Sequence, residues 1–152
     1  MDSRTTPFNG RVAASTLRGT VDAEVFRDGT PAQVVTALAD IRRAPDGPRL
    51  RQLLLGDAVT VYDTEQGHSY VQSEKDGYCG YVDSAALGPR LEPTHRVHAR
   101  ATHVYSDASI KSGDTMLLSL GAQVTAKNEK NGFLDIGTGY VPAQHLSPIG
   151  QM

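Results

Sequence analysis

Apolar and polar residues alternate with a period of two through much of the chain. Val21, Ala23 and Val25 are separated by Asp22 and Glu24, Val59 and Val61 by Thr60, and Val124 and Ala126 by Thr125. That is the pattern of a strand with one face buried. Tyr78, Cys79, Tyr81 and Val82, and later Tyr140 and Val141, form short β-favouring runs beside glycines. Turn signals fall between them: Asp28-Gly29, Asp46-Gly47-Pro48, Gln66-Gly67, Asp76-Gly77, Asn131-Gly132 and Gly137-Thr138-Gly139. Asn131-Gly132, placed between Val124-Thr125-Ala126 and Phe133-Leu134-Asp135-Ile136, is the strongest hairpin signal. Helical periodicity is scarce, and only Ser84–Leu87 and Ala143–Leu146 read as single turns. The pattern predicts an all-β chain of short strands, arranged as small sandwiches or barrels.

The pattern also repeats. Leu55-Gly56-Asp57-Ala58-Val59-Thr60-Val61 recurs as Leu120-Gly121-Ala122-Gln123-Val124-Thr125-Ala126, at an offset of 65 that still holds for Gly67 and Gly132. Gly80-Tyr81-Val82 followed by Leu87 recurs as Gly139-Tyr140-Val141 followed by Leu146, at an offset of 59. The first copy therefore carries six extra residues in one hairpin. Upstream, Ala39-Asp40-Ile41-Arg42 lies over Thr102-His103-Val104-Tyr105. Three anchors in one order predict two homologous units. The expected organisation is an arm at 1–32, a first unit at 33–90 and a second at 94–149, joined through Gly88-Pro89-Arg90-Leu91-Glu92-Pro93-Thr94. A unit of ~60 residues buries only about 60% of its unfolded surface and is marginal alone. The arm has Val12, Leu17, Val21, Val25 and Phe26 to bury, so it is expected to contribute strands.

Composition narrows the function. The 152 residues carry 15 Lys and Arg against 17 Asp and Glu, a net charge of −2, which argues against a polyanion-binding surface and against nucleic acid as a partner. No apolar run approaches the ~20 residues of a membrane span. The first residues have no apolar signal core, so a cytoplasmic location is expected. The single cysteine, Cys79, excludes an intrachain disulfide and Cys₄ or Cys₂His₂ zinc sites. His95 and His98 differ in parity and would face opposite sides of an extended segment, with His103 beyond them and no carboxylate between; no metal or cofactor is expected. Cys79 stands in Gly-Tyr-Cys-Gly-Tyr, a strand context. A nucleophilic cysteine needs a helix N-terminus and a nearby histidine, so Cys79 reads as structural.

Each unit resembles a bacterial SH3 domain. The first shows Ala39-Asp40-Ile41-Arg42-Arg43-Ala44-Pro45, then the Leu55-Gly56-Asp57 strand opening, a distal hairpin, and Gly77-Tyr78-Cys79-Gly80-Tyr81-Val82 running into a short turn. The whole chain is similar to the N-terminal tandem SH3 region of NlpC-type cell-wall cysteine peptidases, the group that includes dipeptidyl-peptidase VI, a γ-D-glutamyl-L-diamino-acid endopeptidase. The likeness runs from Asn9-Gly10-Arg11-Val12-Ala13 and Leu17-Arg18-Gly19, through Arg51–Asp57 and Pro93-Thr94-His95-Arg96-Val97, to Val141–Leu146.

The resemblance implies two SH3-like barrels in tandem behind a β-containing arm. It also implies that a papain-like catalytic domain with an Asp-Cys-Ser-Gly motif follows in the family. This sequence has no such motif, so the chain is expected to be the non-catalytic part of such an enzyme, truncated or split. Its implied partners are peptidoglycan stem peptides or muropeptides and a papain-like catalytic domain. In dipeptide-releasing members the first unit reads the free N-terminal L-Ala of a stem peptide. A tyrosine of the Gly-Tyr-x-Gly motif takes part, and it maps to Tyr78. The acidic residue that partners it falls at Leu50, a departure; Asp46 and Asp57 are the acidic candidates for its task.

The candidate ligand residues are therefore Tyr78, Tyr81, Asp57 and Arg43. The tyrosines, three apart, form a ligand platform if a bulge turns both to one face, or else pack in the barrel. Arg43, with Arg42 beside it, suits a carboxylate, or else is a solvated loop charge. Asp57 is equally a residue that opens a strand after a turn. The alternative function is a stand-alone interaction or regulatory module. Grooves for proline-rich helices use rows of aromatics, typically with Trp, and this chain has none.

Overall fold

A computed structural model describes residues 2–149, and in it the alternating segment 59–61 lies in a strand, while of 21–25 only Val25 and of 124–126 only Val124 do. It divides into two units, residues 2–53 with 57–90 and residues 54–56 with 91–149. In the arm, β1 (Val12–Ala14) pairs in parallel with β2 (Val25–Arg27), so the arm contributes strands. The first unit continues with β3 (Thr30–Val34), β4 (Leu38–Arg42), β5 (Arg49–Leu54), β6 (Ala58–Glu65), β7 (His68–Ser73), β8 (Cys79–Asp83) and β9 (Leu87–Pro89). These seven form one sheet in the order β5-β4-β8-β7-β6-β3-β9.

Period-two alternation gives that sheet two different faces. Val34, Ile41, Leu53, Val59 and Val71 are fully buried and, with Val82, fill the inner face. The opposite face carries Tyr62, Tyr70 and Cys79, on which Val12 and Ala14 of the arm pack, with Tyr81 at the margin. A buried valine such as Val12 contributes about 1.5–3 kcal/mol relative to an exposed one, which is how a short arm is held.

The second unit contains β10 (His95–Val97), β11 (Ala101–Tyr105), β12 (Asp114–Ser119), β13 (Gln123–Val124), β14 (Glu129–Lys130), β15 (Phe133–Asp135), β16 (Tyr140–Pro142) and β17 (Leu146–Pro148). Its sheets have the orders β13-β10-β17 and β12-β11-β16-β15-β14. Val97, Val104, Leu118, Ala122, Val124, Val141 and Leu146 form its core. The pairing plan repeats that of the first unit: β3 with β6 and β9 becomes β10 with β13 and β17, and β4 with β8 becomes β11 with β16. A 3₁₀ turn follows at Ser84–Ala86 and again at Ala143–His145. The fold is thus all-β with a repeated pairing plan, as the sequence pattern predicts, and it fits the tandem of SH3-like units with a β-containing arm that the resemblance implies.

Both hairpins close with two positive-φ residues, Gln66 (51°) with Gly67 (81°) and Asn131 (53°) with Gly132 (81°), the geometry of a type I′ turn. A second pair of glycines marks where strands cross closely. A Cβ at Gly80 would lie 2.5 Å from the Arg42 carbonyl oxygen and from the Ile41 side chain. At Gly139 it would lie 2.6 Å from the Tyr105 oxygen and from Val104. Gly80→Ala is therefore expected to cost about 1–3 kcal/mol by overpacking, read from the urea unfolding midpoint; unchanged stability would contradict the close approach of β4 and β8.

Candidate functional site: a pocket closed by the arm

The site begins with a register shift. β6 and β7 pair Val61 with Val71 and then Asp63 with Tyr70, so one extra residue bulges at Tyr62. The bulge turns both Tyr62 and Asp63 to the face that receives the arm. Asp63 is 4% exposed, and a carboxylate so buried requires partners. Arg11 donates through Nη2 to both carboxylate oxygens at 2.6 and 2.7 Å. Arg27 donates to Asp63 Oδ1 at 3.3 Å and to the Tyr62 carbonyl at 3.0 Å. Asn9 Nδ2 donates to Asp63 Oδ2 at 3.2 Å. Burial by itself would raise the Asp63 carboxyl, but the Asn9 and Arg11 hydrogen bonds and the charges of Arg11 and Arg27 hold it below the ordinary range.

Asn9 ties this cluster to the pocket. Its Nδ2 also donates to the Tyr81 hydroxyl at 3.2 Å, and its Oδ1 accepts from the backbone of Arg11 and Val12 at 3.0 and 2.8 Å. The buried Tyr70 hydroxyl accepts from Phe8 N–H at 3.0 Å and donates to the Thr6 carbonyl at 3.3 Å. Cys79 N–H donates to the Arg4 carbonyl at 2.6 Å. The arm thus lies along the tyrosine face and, with the loop after β4, encloses a pocket of about 360 Å³. Ser3, Arg4, Phe8 and Asn9 come from the arm, Arg43, Ala44 and Pro45 from the loop, and Leu50, Tyr70, Cys79, Gly80 and Tyr81 from the sheet.

Two of the sequence candidates, Tyr81 and Arg43, line this pocket; the other two do not. β8 alternates without a bulge, so Cys79 and Tyr81 face the arm while Tyr78 packs on the inner core with Leu87 and Val61. Of the two alternatives for the tyrosines, the bulge that would turn both to one face is absent between Tyr78 and Tyr81, and the register shift lies on β6. The Arg51 guanidinium covers the Tyr78 ring at 4.3 Å. Asp57 is 7% exposed and is paired with Lys75 at 2.7 Å, which fits a strand-opening residue. Arg42 reaches back to Asp40 at 3.0 Å and to the Gly47 carbonyl at 3.1 Å.

Cys79 is 4% exposed, and burial pushes its thiol up to about 12, against a smaller lowering effect of the Tyr70 hydrogen bond. It is protonated at neutral pH and suited to packing rather than attack. A neighbouring pocket of about 410 Å³ contains Asp40, Arg42, His68, Tyr81 and Asp83. Its acids already have partners, Asp40 in Arg42 and Arg49 and Asp83 in the Ala85 amide.

Sequence reasoning missed Asp63, Asn9, Arg11, Arg27 and Tyr70. The available signal was the break in alternation at Tyr62-Asp63, where an acid and an aromatic follow two inward valines. Because the Asp63 carboxyl is held low, its contribution to stability is complete above the ordinary carboxylate range near pH ~3.9. That contribution is lost as pH falls through the folded value. Asp63→Asn is expected to lower stability by about 1–3 kcal/mol at pH 7 in urea titrations, with the gap to wild type closing in strong acid; equal stability at pH 7 would contradict the cluster.

Residues 41–87 match the family model described as the bacterial dipeptidyl-peptidase SH3 domain. No curated protein matches the chain. Among solved structures, an NlpC/P60 family protein from Bacillus cereus superposes with a TM-score of 0.61 at 16% identity. That superposition covers 78% of this chain and 56% of the other, so this chain spans little more than half of that protein. NlpC2 and NlpC1 from Trichomonas vaginalis each cover 78% of this chain, at 14% and 16% identity and TM-scores of 0.35 and 0.36, with 48% and 45% of their own lengths matched. The chain therefore carries, over residues 41–87, an SH3 domain similar to that of bacterial dipeptidyl-peptidases, in a fold that resembles part of an NlpC/P60 family protein.

Proposed function

We propose that this chain is the non-catalytic SH3 region of an NlpC-type cell-wall peptidase, and that its first unit binds peptidoglycan stem peptides for a papain-like catalytic domain. One observation carries this reading above the others. The matched residues 41–87 contribute Arg43, Cys79 and Tyr81 to a pocket of a size suited to a small peptide end. The same stretch holds Tyr78, which the family resemblance assigns to ligand contact but which packs on the inner core outside this pocket. The buried, protonated Cys79 supports a binding role over a catalytic one. A stand-alone interaction module has less in its favour, because the tyrosine face that would form an aromatic groove is already covered by the arm.

The test is an amide NMR titration of the full chain with L-Ala-γ-D-Glu-diaminopimelate, together with an assay for dipeptide release. The expected result is shifts at Tyr78, Cys79 and Tyr81 with no product. Absence of shifts in the first unit, or turnover that Cys79→Ser abolishes, would contradict the reading.

A further inference from the structure

Arg43 and Tyr81 both line the arm-closed pocket, and each has a side-chain donor without an acceptor among the described residues. The exposed guanidinium of Arg43 has no hydrogen bond or ion pair among the described residues; only its backbone N–H is engaged, by the Pro48 carbonyl at 3.1 Å. The Tyr81 hydroxyl oxygen accepts from Asn9, which leaves its proton free to donate. The other charged lining residue is also a cation: Arg4, whose guanidinium is paired with Asp2 through two hydrogen bonds, at 3.1 and 3.2 Å. Among the described residues no Asp or Glu lines the pocket, while Phe8, Ala44, Pro45 and Leu50 give it apolar walls.

From this arrangement we infer that the pocket binds the carboxylate end of a small, partly apolar ligand, and not an ammonium end. An ionised carboxylate is an acceptor-only group with room for several donors, which is what a free guanidinium and a free phenolic O–H require. An ammonium would enter beside two guanidiniums, and Asp2 and Asp63, the carboxylates bonded to lining residues, are already paired with arginines. The arm favours this reading: Asn9 donates to the Tyr81 hydroxyl oxygen, so that group has its proton left to offer. The inference deepens the proposed function and rests on its premise that ligands bind the first unit.

The experiment uses probes that are not wall peptides, so that the two readings can fail separately. The full chain is titrated by amide NMR at pH 7 with N-acetyl-L-alanine, with neutral N-acetyl-L-alaninamide and with cationic L-alaninamide. The carboxylate is expected to shift Arg43, Cys79, Gly80 and Tyr81, and the other two probes are not. Arg43→Gln, a change at an exposed loop position, is expected to weaken the carboxylate ~10-fold, the loss of one charge-assisted hydrogen bond. Tyr81→Phe should weaken it by about 3-fold or more. Preference for L-alaninamide, no response to N-acetyl-L-alanine, or an unchanged titration in Arg43→Gln would each overturn the inference. A stem peptide that still bound in any of those cases would leave the proposed function standing.

Discussion

A buried carboxylate with donors from the arm is the constraint on which the first unit depends. Asp63 cannot stay ionised at 4% exposure without Arg11, Arg27 and Asn9, and all three belong to the arm. The bulge on β6 exists at the one place where it turns this acid outward from the inner core. Once the arm is fixed there, Asn9 is fixed too, and with it the hydrogen bond to Tyr81. The pocket is therefore a consequence of how an acid is satisfied some way along the same face.

The duplicated architecture shows what the arm is for. The inner faces of the two units are alike, built from valines and leucines at matching positions. The outer faces are not. At the repeat offsets, Tyr62, Asp63, Tyr70 and Cys79 correspond to Lys127, Asn128, Asp135 and Thr138. Lys127, Asn128 and Thr138 are exposed and polar, which water covers without help. The first unit instead presents two buried tyrosines and a cysteine that would form an apolar patch if left bare. Val12 and Ala14 cover that patch, and the ion cluster fixes where they lie.

Much of this was legible in the sequence because it is local. Period-two alternation marked β6, though it failed over 21–24 and 125–126; Gln66-Gly67 and Asn131-Gly132 marked the hairpins, and the two offsets marked the repeat, whose pairing plan the sheets reproduce. Among the candidates singled out by residue type, Tyr81 and Arg43 both line the pocket. What escaped was set by distant partners. Asp63 and Asn9 are 54 residues apart, and Asp57 meets Lys75 across 18, so neither acid's role could be read from its neighbours. The orientation of Tyr78 followed plain alternation in β8, and the irregularity fell on β6, where an acid had to reach the arm.

The arm is an integral layer of the first unit, and amide hydrogen exchange of the full chain measures this directly. The Val12 amide is bonded to Asn9 Oδ1, that of Ala14 to the Pro7 carbonyl, and that of Cys79 to the Arg4 carbonyl. Protection of these three at the level of Val71 and Val82 in the sheet is the predicted result. Rapid exchange at Val12, Ala14 and Cys79 while Val71 and Val82 stay protected would contradict it.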